Sequence, residues 1–123
     1  MLNDSKVTAN IPAADLDRAR QFYADKLGLT PTDENPGGLI YTTGGTVFFL
    51  YQTEYAGQAG HTIAQFHVAD VAAEVKELKA NGVTFEHYDL PGLTLEGDVH
   101  VAENFRGVWF KDPDGNILHI NGQ

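Results

Sequence analysis

Five histidines, His61, His67, His87, His100 and His119, are the residues of this chain best equipped for chemistry. An imidazole can ligate a transition metal, move a proton, or sit in a core as a satisfied polar group, and its neighbours decide which. None of the five belongs to an HExxH motif or a close histidine pair, so the sequence carries no helical zinc signature. Cysteine is absent, which removes thiolate metal sites, thiol nucleophiles and disulfides together. The one serine, Ser5, lies outside any GxSxG turn, and no GxxxxGK loop is present. Serine hydrolysis and phosphoryl transfer therefore lack their usual residues.

His119 has the most telling position. In the closing stretch FKDPDGNILHINGQ, the turn Asp112-Pro113-Asp114-Gly115 feeds a short apolar run in which His119 stands between Leu118 and Ile120. Successive side chains of a strand point to opposite faces. Leu118 and Ile120 are thus expected to face a helix, leaving Ile117 and His119 to face a hollow on the other side of the sheet. The competing reading is a histidine hydrogen-bonded within a core.

The elements that must position these side chains are legible from periodicity. Val7, Ala9 and Ile11 alternate with polar residues, as in a half-buried strand. The segment DLDRARQFYADKLG then places Leu16, Ala19, Phe22, Tyr23 and Leu27 on one helical face, with Asp15 as N-cap and Gly28 as stop signal. Glycine pairs at 37–38 and 44–45 precede LIYTT and TVFFLYQ, which predicts two strands joined by a glycine turn. A further strand is expected near Leu29–Thr32. The same order then recurs: a strand through Ala64, Phe66 and Val68, a helix with Val71, Val75 and Leu78 on one face ending at Gly82, and closing strands GVWF and GNILHIN.

The recurrence is quantitative. Ala14-Asp15-Leu16 matches Ala69-Asp70-Val71 at an offset of 55, and Gly45–Leu50 matches Gly115–Ile120 at an offset of 70. The growth of the offset is assigned to the segment HYDLPGLTLEGDVHVAENF, read either as a ligand-meeting loop or as a strand with a variable approach. A single domain over residues 1–123 is expected, with repeats at roughly 5–52 and 61–121. The fold class is α+β: two tandem βαβββ repeats forming a curved mixed sheet around a cavity, with the helices on the outer face.

Two βαβββ units, with DLDRARQFYADKLG after the first strand and WFKDPDGNILHI at the end, resemble the vicinal oxygen chelate superfamily, which contains glyoxalase I, bleomycin-resistance proteins and extradiol dioxygenases. In metal-using members the resemblance implies a site built from the first and last strand of each repeat. Those positions fall near Thr8, Phe49, Ile63 and His119. Phenylalanine and isoleucine have no donor atoms and threonine is a poor ligand, so no metal and no cofactor is expected. A register shift of two would bring in Asn10, Gln65 or His67, and His67 with His119 would then be the pair left to hold one divalent metal ion.

The cavity expected from this arrangement has polar contacts from Thr8, Asn10, Gln65, His67 and His119 and aromatic surface from Phe49, Tyr51 and Trp109. That mixture suits a small-molecule pocket. Three readings stay open. One is a metal-independent protein binding a small aromatic or cationic molecule. A second is a metal-dependent glyoxalase-like lyase or isomerase in which His119 or His67 is ligand or base. The third is a dimeric interaction module without a ligand. Eight Lys and Arg against seventeen Asp and Glu give a net charge of −9, which repels a nucleic acid backbone and suits a cationic partner, or serves solubility alone. No apolar run is long enough to cross a bilayer and no secretory signal is recognisable, so a cytoplasmic protein is expected. Small members of the resembled family pair as homodimers, and a homodimer is expected here.

Overall fold

Two aspartates open the two helices in the same way. In the computed structural model, which describes residues 1–123, the Asp15 carboxylate accepts from the Arg18 backbone N–H, and the Asp70 carboxylate accepts from that of Ala73, both at 3.1 Å. Each bond satisfies a first-turn donor that the helix itself leaves unpaired. The first repeat runs β1 (Ala9–Ala13), α1 (Leu16–Leu27), β2 (Asp33–Asn35), β3 (Gly38–Thr43) and β4 (Thr46–Gln52). The second runs β5 (Thr62–Val68), α2 (Val71–Ala80), β6 (Phe85–Glu86), β7 (Thr94–Glu96), β8 (Val99–Ala102), β9 (Phe105–Lys111) and β10 (Ile117–Gly122). The fold is α+β, with two mixed sheets that are not closed on one another: four strands in the order β1-β4-β3-β2, and six containing β5-β10-β9-β8-β7 with β6 also on β9.

Two expectations are corrected. The extra strand of the first repeat lies at Asp33–Asn35 rather than Leu29–Thr32. Gly28 caps α1 in the left-handed conformation at φ 71°, and the Leu29 N–H turns back to the Tyr23 carbonyl at 2.9 Å, so the helix cap consumes the residues that would have started a strand. The long segment of the second repeat is neither a simple loop nor one strand. It folds into the β7–β8 hairpin, which lies against β9 beyond β6.

The repeats share register as well as order. In the first, Asn10 of β1 is opposite Phe49 of β4, and Phe49 is opposite Ile40 of β3. In the second, Gln65 of β5 is opposite His119 of β10, and His119 is opposite Trp109 of β9.

One face of each sheet carries a helix and enters a common core, in which Phe48 of the first repeat meets Phe66 of the second edge-on with ring centroids 6.4 Å apart. A polar clamp joins the repeats beside this core. Asp112 accepts from the Tyr23 hydroxyl at 2.9 Å, the Asn116 side-chain amide at 2.8 Å and the backbone N–H groups of Asp114 and Asn116, while Asn116 also donates to the Pro12 carbonyl at 2.7 Å. Burial and then the Asp112 charge push the Tyr23 phenol well above its ordinary value, so it stays a hydroxyl donor. Asp114 completes the clamp by accepting from the Ala14 N–H and from Arg18, both at 3.0 Å. No helix is long and apolar enough to cross a membrane.

Candidate functional site

The faces turned away from the helices carry the side chains singled out in the sequence. On the second sheet, alternation along β10 sends Leu118 and Ile120 into the core and His119 to the opposite face. There His119 stacks on Trp109, with centroids 4.1 Å apart and planes at 22°, and lies near-parallel to Phe105 at 5.9 Å and 13°, the Phe105 and Trp109 rings being 6.3 Å apart. These three positions meet because β9 places Phe105 and Trp109 on one face with Gly107 between them. A Cβ on Gly107 would lie 2.6 Å from Cε1 of His119 and 2.7 Å from Cζ of Phe105. Only a glycine leaves room for the stack.

The imidazole has one defined tautomer. Its Nδ1 lies 2.9 Å from the Val108 carbonyl, which can only accept, so Nδ1 carries the proton and Nε2 keeps a lone pair. Burial holds the ring below the ordinary imidazole value, helped by His100 and His67 and opposed by the Val108 hydrogen bond. His119 is therefore a neutral base at pH 7. The Trp109 indole is fixed from its other end, donating to the Thr62 hydroxyl at 3.0 Å.

His100 was not singled out from the sequence, yet it lies at the base of this wall. It is fully buried, edge-on to Trp109 at 4.8 Å, and its Nε2 accepts the Tyr88 backbone N–H at 2.9 Å. Its Nδ1 and the Tyr88 hydroxyl are both buried without a hydrogen-bond partner. The signal was the alternation in VHVA, where His100 and Ala102 share a face, hidden by reading the segment through its acidic residues. A cleft of about 290 Å³ opens beside the exposed edge of Trp109, lined by Tyr88, Thr62, His61 and Leu90. A second, of about 210 Å³, adjoins Phe105 at the other end of the stack.

The remaining predicted positions fall into groups. Gln65, Asn121 and His67 form a chain across β5 and β10: Asn121 donates to Gln65 at 3.0 Å and accepts from His67 Nδ1 at 2.7 Å. Asn10, Phe49 and Tyr51 lie on the corresponding face of the first sheet, where the Phe49 and Tyr51 rings are nearly parallel at 6.3 Å. No hydrogen bond or ring contact joins this group to His119 or Trp109 within the chain. Thr8 lies just before β1, and the residue opposite Phe49 is Asn10. Ile63 sits at an irregularity of β5. A bulge between Ile117 and Leu118 pairs Ile117 with Thr62 and Leu118 with Ala64, so Ile63 has no partner and packs against the core, and Gln65 stands opposite His119.

The cross-strand row through Phe49 and His119 reads Asn10, Phe49, Gln65 and His119. It contains no carboxylate and a single imidazole. His67 stands opposite Asn121, one alternation further along, and no three His, Asp or Glu side chains gather in a group able to hold a metal. Hard or borderline divalent ions need more anionic or imidazole donors than this row, or the set Thr8, Phe49, Ile63 and His119, offers, so these residues do not fit the family's metal.

Comparison with known proteins agrees with the fold. The structure superimposes on a bleomycin-binding protein complexed with bleomycin, with TM-score 0.70 and 20% identity over 97% of this chain and 98% of that one. It matches a lactoylglutathione lyase from Agrobacterium tumefaciens with TM-score 0.70 and 21% identity, over 96% and 93%. A glyoxalase/bleomycin resistance protein/dioxygenase from Alicyclobacillus acidocaldarius gives TM-score 0.71 and 24% identity, over 99% and 94%. At these identities the likeness is one of fold. No curated protein matches the chain. The family model of the glyoxalase/bleomycin resistance protein/dioxygenase superfamily matches residues 7–120. With the duplicated βαβββ unit and its shared register, that match makes the chain a member of the glyoxalase/bleomycin resistance protein/dioxygenase superfamily.

Proposed function

We propose that this protein binds a small planar molecule, aromatic or cationic, without a metal ion, against the Trp109–His119–Phe105 wall. The observation that carries this reading is the pairing of a rigid ring stack, open at the Trp109 edge, with a strand row that has lost metal-binding donors. A flat ligand gains dispersion by stacking on the half-exposed indole, and a cationic one gains further from the π face and from the net charge of −9. Gln65, His67 and Asn121 supply hydrogen bonds at the rim. The open face of the first sheet, with Asn10, Phe49 and Tyr51, has the same register, and in this reading a homodimer brings it opposite the second-sheet wall of its partner to close the site.

Trp109 is the only tryptophan, so its emission reports on this wall alone. Titration with bleomycin and with smaller planar cations, after treatment with a chelator, is expected to shift Trp109 emission saturably, and added nickel or zinc leaves the affinity unchanged. A response that requires the metal removes the metal-independent reading. Sedimentation measures the dimer separately.

One observation favours a second reading. The neutral His119 ring, with Nε2 free as a base, suits proton transfer in a glyoxalase-like lyase or isomerase. Turnover of a hemithioacetal that is abolished in His119→Phe but not in Trp109→Phe would establish it.

A further inference from the structure

The two repeats are held together at the Asp112 clamp and again where the helices converge, where the Asn81 amide donates to the Lys26 carbonyl at 3.2 Å. The seam also holds a cavity of about 130 Å³. Its walls are mostly apolar: Leu29 beyond α1, Phe66 and Val68 from β5, and Leu78 from α2. Leu29, Phe66 and Val68 remain half-exposed around it although each packs on the core.

Two polar groups line this apolar space, and neither side chain is engaged. The Glu74 carboxylate, half-buried in the first turn of α2, takes part in no hydrogen bond or ion pair, and the Thr43 hydroxyl has no partner. Lys79, further along the same helix, is committed to Asp98 at 2.8 Å. A carboxylate at the edge of an apolar space and without a protein counter-charge can take a charge-assisted hydrogen bond from a cation placed in that space. A larger cleft of about 290 Å³ shares Thr43 and Phe66 with the cavity and is bordered by Ile63.

We propose that this seam is a second ligand site, taking a small primary ammonium ion on an apolar body about the size of a benzene ring, a volume that apolar protein cavities accept. The apolar body fills the space between Leu29, Val68 and Leu78, and the ammonium donates to Glu74 and Thr43. The site lies on the helix-bearing side of the sheets and uses none of the residues of the Trp109 wall, so it stands whether or not the metal-independent binding reading does. Because both repeats supply the walls, occupancy ties the halves together and raises the temperature of unfolding.

The test uses the full chain, with methyl NMR titrations of benzylammonium, toluene and benzoate. Benzylammonium is expected to shift the Leu29, Val68 and Leu78 methyl signals saturably, toluene to bind roughly tenfold more weakly for want of the charge-assisted bond, and benzoate to give no shift. Glu74→Gln should bring benzylammonium down to the level of toluene. Leu29→Phe, which fills the space, should abolish both responses while the emission spectrum of Trp109 stays that of the parent chain. The proposal fails if benzylammonium produces no saturable shift, if it binds no better than toluene, or if Glu74→Gln leaves its affinity unchanged. It fails equally if the three methyls prove to be covered by a second copy of the chain, seen as signals that move on dilution while benzylammonium does not compete.

Discussion

The open faces of the two repeats have one geometry and two chemistries. Asn10, Phe49 and Ile40 form a row across the first sheet, and Gln65, His119 and Trp109 form the equivalent row across the second. The first row leaves its one ring, Phe49, half-exposed. In the second, the imidazole is almost wholly covered by its neighbours, at 5% exposure, because the inserted β7–β8 hairpin adds strand β8 beside β9 and puts His100 beneath Trp109. Strand register sets where a side chain points, and it is the packing around the row that decides whether the residue is an accessible ring or a buried base.

A glycine at matching positions breaks the comparison most forcefully. Gly38 stands opposite Tyr51 in the first repeat, and Gly107 stands opposite Asn121 in the second. A Cβ on Gly38 would lie 2.1 Å from the Leu50 carbonyl oxygen, a backbone atom that cannot swing aside, so Gly38→Ala must push β3 from β4. The expected loss is about 3 kcal/mol or more in urea unfolding. At Gly107 the obstacles are the His119 and Phe105 rings, which can rotate, so Gly107→Ala should cost less, about 1–2 kcal/mol. It should also change Trp109 emission as the stack comes apart, a signature that Gly38→Ala lacks. Equal destabilisation with unaltered emission in both variants would show that the stack does not depend on this glycine.

Much of this arrangement was open to sequence reasoning, for reasons that also mark where it stopped. Alternation identifies the face a residue takes, which is why His119 could be separated from Leu118 and Ile120. It does not identify where along a strand pairing begins, so the pairing of Asn10 with Phe49 and of Gln65 with His119 could not be read from it. The bulge at Ile63 comes from the fit of β5 to β10, a relation between distant segments that local pattern does not carry. The same is true of the cover over His119: Phe105, Trp109 and His100 lie on two other strands, and the hairpin that delivers His100 looks in sequence like an acidic loop.

The next test removes a ring from each face. Trp109→Ala deletes the cover of His119 and the edge of the ligand cleft, and is expected to weaken binding of a planar cation, read by thermal shift, by at least tenfold, about 1.4 kcal/mol. Phe49→Ala on the first repeat is expected to weaken it by less if the second sheet supplies the stacking surface, and comparably if a homodimer seats the ligand between the two faces. Binding that survives Trp109→Ala intact moves the site away from the wall altogether.

The smallest effect is the most specific. The His119 ring is held below the ordinary imidazole value, chiefly by burial and then by His100 and His67, so between its folded value and about 6.5 the unfolded chain binds more protons than the folded one. Stability therefore rises with pH across that window, is fully present above it, and is lost as acid drives a proton onto the buried ring. Asp98, held below the usual carboxylate range by its hydrogen bonds from Lys79 and His87, loses its contribution only at lower pH, so the two transitions separate. His119→Phe gives the second repeat the residue that the first carries at the same position, Phe49, and keeps a planar ring in the stack. Urea unfolding measured from pH 7.5 down through the carboxylate range should then lose the part of its slope that His119 supplies, while the loss at carboxylate pH remains. A slope that persists unchanged would assign the acid sensitivity to another group and would mean that the aromatic cover leaves the His119 imidazole as free to take a proton as one in water.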